Sequence, residues 1–113
     1  MKIEHIDEWR MIEHEYIVND GNAVSHFLAD RSYLIPILIE LPARIRQYFD
    51  SAQLSLEVFV DPEVADYVKL LALINTELDP EQALDTMEKF DKQWWLKNKP
   101  RTQGELIIDV EFV

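Results

Sequence analysis

The sequence predicts an α+β fold: N-terminal helices, then a β-hairpin, a helix and a last strand. Together these make a three-stranded antiparallel sheet with helices packed on it. Three observations carry this. Leu54, Leu56, Val58 and Val60 alternate with Ser55, Glu57 and Phe59, and Leu106, Ile108, Val110 and Phe112 repeat the same period of two. Between them, residues 80–96 place apolar side chains at helical spacing behind a strong start signal. Before them, Ile6, Trp9, Ile12 and Tyr16 recur three to four residues apart.

Residues 1–18 read better as a helix, although Lys2 to Ile6 also alternates like a strand. Asn19-Asp20-Gly21-Asn22 is a turn cluster, and Asn22 is placed to cap a short helix carrying Val24, Phe27 and Leu28. Ser32 is placed to cap a second helical stretch from Tyr33 to about Phe49. Pro42 lies inside that stretch. Proline lacks an N–H and restricts the residue before it, so a kink or break is expected near Leu41.

Asp61-Pro62-Glu63 ends the first strand. Residues 67–76 form the second, apolar on both faces, which implies cover on both sides. Asp79 then serves as N-cap, Pro80 suits the first helical position, and Gln82 falls where a capping box places it. The helix stops before Pro100, and Gly104 opens the last strand. The strand 54–60 is expected in the middle, antiparallel to both neighbours. Residues 1–113 read as a single domain, with 1–30 either a peripheral helical arm or folded back over the sheet.

The formal net charge is −11, from 22 acidic and 11 basic side chains. A field of that sign repels phosphate backbones, so general nucleic-acid binding is disfavoured; it suits a soluble protein, or one with a basic protein partner. The charge is uneven. Lys89, Lys92, Lys97, Lys99 and Arg101 face only Asp91 between positions 89 and 101. With no cysteine, disulfides and thiol chemistry are excluded. The longest apolar run, Leu34 to Leu41, is too short to span a membrane, and the first residues lack the apolar core of a signal peptide. A cytoplasmic location is the expectation.

Two places could carry function. Phe59, Leu71, Leu73, Ile107 and Val113 all point away from the main core set. If residues 1–30 do not cover them, they form an apolar interface for a homodimer or another partner. The second place is the helix 80–96. On a helical wheel with Met87 at zero, Trp94 falls near −20°, Asp91 near about +40° and Trp95 near about +80°. Asp91 thus lies within the apolar arc, where burial raises a carboxylate's pKa unless a donor offsets it. An indole N–H, Ser55 or an arginine is the expected donor. Trp95, at the arc's edge, stands next to Lys97, Lys99 and Arg101. Such a group could bind an anion, a nucleotide base or an acidic peptide, or could simply complement the helix dipole.

His5, His14 and His26 have no metal-binding spacing, and a solvated acidic face is the simpler reading of their surroundings. No phosphate-binding loop or nucleophile elbow is present, and no cofactor or catalytic set is expected. The segments Leu56-Glu-Val-x-x-Asp-Pro-Glu63, Asp79-Pro-Glu-x-Ala-Leu84 and Phe90-Asp-x-x-Trp-Trp-Leu96 resemble those of a group of small uncharacterised bacterial proteins. The resemblance covers roughly residues 27–113 and implies a bacterial soluble domain, with no activity attached. The leading expectation is an interaction or regulatory module. The alternative is a small-molecule or anion-binding protein using Asp91, Trp95, Lys97, Lys99 and Arg101, and an enzyme using Asp91 comes last.

Overall fold

The computed structural model describes the backbone of residues 3–113 and the side chains of residues 7–113. Helix α1 (Ile3–Glu15) runs into a short strand β1 (Tyr16–Val18), followed by α2 (Gly21–Ala29), a 3-10 turn (Ser32–Leu34) and α3 (Ile35–Arg46). The hairpin of β2 (Gln53–Val60) and β3 (Val68–Thr76) follows. Helix α4 (Pro80–Phe90) continues through a π-helical turn, Asp91–Trp95, and a closing α turn, Leu96–Asn98. A 3-10 turn (Lys99–Thr102) leads to β4 (Leu106–Phe112).

The mixed helix and strand content agrees with the α+β expectation, but the sheet does not. It has four strands in the order β1-β2-β3-β4, and only the β2–β3 pair is antiparallel. Two differences explain this. Tyr16, Ile17 and Val18 leave the first helix to pair in parallel with Leu54, Ser55 and Leu56, and thereby take the free edge of β2. That edge was the expected place of the last strand. β4 instead pairs with β3, in parallel, because the helical crossover returns the chain to the end at which β3 began. A strand apolar on both faces is thereby a central strand, flanked on both edges.

Local signals account for the helix starts. Asp79 Oδ1 accepts from the Gln82 N–H at 2.9 Å, with Pro80 in the first helical position, as read from the sequence. The cap of α2 is Asp20 rather than Asn22. Its backbone is left-handed, with φ of 54°, and its Oδ1 accepts from the Ala23 N–H at 3.2 Å. Gln103 and Gly104, both with positive φ, make the turn into β4.

Pro42 does not break α3, which runs unbroken from Ile35 to Arg46. The proline cannot donate to the carbonyl four residues back, that of Leu38. The Tyr16 hydroxyl donates to that carbonyl instead, at 2.6 Å, from within the core. β1 thus supplies the donor that the helix lacks.

The core lies between one face of the sheet and the helices. Leu54, Leu56, Leu70, Ala72, Ile74, Leu106 and Ile108 meet Val24, Phe27, Leu28, Ile37, Leu38, Leu41, Ile45, Phe90 and Trp94 in one cluster. Each fully buried Leu or Ile contributes about 1.5–3 kcal/mol. Arg46 joins α1 to the α3–β2 connection, with Nη1 donating to Glu15 at 2.7 Å and Nε to the Ala52 carbonyl at 3.3 Å.

Candidate functional site

The other face of the sheet adds nothing to that cluster. Leu71, Leu73 and Ile107 are partly exposed, Phe59 is 39% exposed and Ile17 50%. Residues 7–30 do not cover this face. α1 packs on α3, and α2 buries Val24, Phe27 and Leu28 in the core. Strand register orders the face in rows: Ile17, Ser55, Leu73 and Asp109; then Glu57, Leu71 and Ile107; then Phe59 and Lys69. A fourth row holds Gln53, Asn75 and Glu111. An apolar centre is thus bordered by Glu57, Asp109 and Glu111, with Lys69 as the single cation among the row members.

Ser55 is only 7% exposed, and its hydroxyl accepts from Asn75 Nδ2 at 2.9 Å. It serves this face, not Asp91. Lys69 Nζ lies 5.3 Å from the centre of the Tyr67 ring, which in turn meets Phe59 edge-on at 6.2 Å. Sequence parity located the apolar members Phe59, Leu71, Leu73 and Ile107 but not Ile17, since a strand of three residues shows no alternation to read.

An open groove of about 650 Å³ continues the face past the strand ends. Gln53 and Asn75, which belong to the face, line it together with Asp50 and Glu77. A second groove, of about 320 Å³, lies between α1 and α3 and is lined by Met11, Leu38 and Ile39 with Arg10, His14 and Glu15 around them. Among the described residues, no group of three or more His, Asp or Glu side chains could hold a metal ion. His14 and His26 are exposed, and His5 lies outside the described side chains.

The basic segment does not gather into one pocket wall. Trp95 is 5% exposed, inside the core rather than at the edge of the apolar arc, and stacks beside Trp94 at 6.3 Å with 25° between the rings. The π-helical turn causes this. The Leu96 N–H bonds to the Asp91 carbonyl, five residues back. The wider turn rotates each residue by less than an α-helix does, and Trp95 swings inward beside Trp94. Arg101 Nη1 donates to Glu40 Oε2 and to Asn98 Oδ1, each at 3.1 Å. Lys92 pairs with Glu88 at 2.6 Å on the exposed side. Lys97 is exposed and, among the described residues, holds no ion pair.

Asp91 begins the π turn. Its Oδ1 is buried and has no hydrogen-bond partner among the described residues, so the expected donor is absent. Burial raises its pKa above the ordinary value of 3.8, and the charge of Lys99 partly opposes the rise. The structure therefore brings together Asp91 and Lys99, sets Trp95 in the core, and turns Arg101 toward α3.

Among the described residues, no helix is long and apolar enough to cross a membrane. No protein-family model, curated protein or solved structure matches the chain.

Proposed function

We propose that this chain is a protein-interaction module that works through the open face of its sheet. One observation carries the reading: all helices with described side chains pack on one side, leaving Phe59, Leu71, Leu73 and Ile107 outside the core. Apolar side chains on a rigid four-stranded support make a preformed docking surface, and patches of this kind mark sites of association. The packing of Trp95 and the engagement of Arg101 with Glu40 weigh against the anion-binding alternative.

Site-specific photo-crosslinking in the native host tests this. A photo-reactive amino acid is placed at Leu71 in one variant and at Leu84 in another. Leu84 is the control, since it is 63% exposed but sits on the helical side. A discrete adduct from position 71 and none from position 84 is the expected result. No adduct from position 71, or equal adducts from both, overturns the proposal.

A further inference from the structure

We infer that the open sheet face is built to take a basic protein surface, and that its occupant is not a second copy of this chain. The inference rests on the interaction reading above and specifies the partner's chemistry.

The distribution of ion pairs is the first ground. On the helical side four arginines stand against acids: Arg31 with Glu105, Arg46 with Glu15, and Arg44 and Arg101 with Glu40. The sheet face is different. Glu57, Asp109 and Glu111 have no cationic partner among the described residues, and Lys69 rests against the Tyr67 ring. Arginines could have stood opposite these acids as they do across the helices. The groove at the Gln53–Asn75 end extends the same sign, with Asp50 and Glu77 in its lining.

Self-association is the rival occupant. A twofold interface places one patch against itself, so it would gather three acids from each copy, Glu57, Asp109 and Glu111, around only one lysine from each, Lys69. Behind them would stand two chains of net charge −11. The area does not offset this. Four strands about 4.8 Å apart and seven residues at about 3.3 Å span roughly 19 by 23 Å, about 440 Å². A standard interface buries roughly 800 Å² per partner, and obligate dimers bury more. A patch of this size needs charge attraction at its border as well as apolar contact at its centre, and a cationic partner supplies it.

The crosslinked species from position 71 decides the matter. Its mass and identity are read first. The yield is then compared in the parent and in a Glu57→Gln/Asp109→Asn/Glu111→Gln variant, each also in permeabilised cells at low and at high salt. A net-positive partner is expected, with a yield at least threefold lower after neutralisation and likewise reduced at about 0.5 M salt, where the Debye length falls to a few ångströms. An adduct of twice the chain mass, an acidic partner, or a yield indifferent to both changes overturns the inference while leaving the interaction reading standing. Absence of any adduct overturns the interaction reading itself. Sedimentation of the neutralised variant beside the parent checks that its fold and monomer size are unchanged.

Discussion

Replacing Tyr16 by phenylalanine tests how α3 tolerates its internal proline. The change removes one oxygen atom from a buried ring and leaves its packing in place. What it orphans is the Leu38 carbonyl, which receives the Tyr16 hydroxyl at 2.6 Å and faces Pro42, a residue without an N–H, one turn later. Leaving a buried acceptor unsatisfied costs about 1–3 kcal/mol. Chemical denaturation of Tyr16→Phe should show that loss with an unchanged m-value. The informative step is the double-mutant cycle. Pro42→Ala restores a backbone donor to Leu38, so the tyrosine hydroxyl becomes redundant. Tyr16→Phe should then cost about 1 kcal/mol less in the Pro42→Ala background than in the parent. Strict additivity would refute the account, since it would mean that the hydroxyl does not stand in for the missing N–H. Alkaline titration supplies a second readout. Burial, with help from Glu15, lifts the Tyr16 phenol well above its ordinary value of 10.0. The native state then keeps its proton where the unfolded chain loses one. Stability is full below that ordinary value and declines as pH rises beyond it, and the Tyr16→Phe variant should lack this part of the decline.

Two further substitutions probe α4. Asp91→Asn removes a charge whose buried oxygen has no donor among the described residues. Because the folded-state pKa is raised, Asp91 contributes its full share of stability below the ordinary 3.8 and loses it as pH rises through the folded value. The asparagine variant should therefore gain on the parent between acid and neutral pH in parallel thermal melts, and a difference that is flat or shrinks toward neutrality would contradict this. Asp79→Ala removes the cap that receives the Gln82 N–H and should cost about 1 kcal/mol by denaturation, while Asp79→Asn should recover most of it.

The strands with a strict period of two were legible because one of their faces is dry. Leu54, Leu56, Leu106 and Ile108 could belong to no other pattern. Pairing was not legible to the same degree. Alternation reports which face a residue occupies and is silent on which strand lies beside it. The last strand was expected beside β2, and nothing in residues 106–112 distinguishes that edge from the edge of β3. The deciding element was Tyr16–Val18, a three-residue strand whose first residue, at helical spacing from Ile12, masked its role in the sheet. The wheel placed Asp91 inside the apolar arc of its helix, and its buried Oδ1 agrees with that. The same wheel misplaced Trp95, because a fixed rotation per residue cannot anticipate a π turn.

The open face shows the same limit. Parity assigned Phe59, Leu71, Leu73 and Ile107 to one side, but apolar residues on the second side of a sheet are compatible with either cover or exposure. What separates the two outcomes is the destination of the other apolar groups. Val24, Phe27 and Leu28, which could have sealed the second side, are spent on the first, beside Leu34 and Leu38. Once those residues are committed, the face has only its own border for company, and that border carries three acids, Glu57, Asp109 and Glu111, to one lysine, Lys69. A sheet face meant to stay solvated would carry polar residues at Leu71 and Leu73, near the middle of β3, one of its two inner strands. One meant to pair with its own copy would carry both signs of charge around them. Leucines beside Glu57, Asp109 and Glu111, with Lys69 as the single cation, meet neither requirement well, and that is the ground for the cationic partner proposed above.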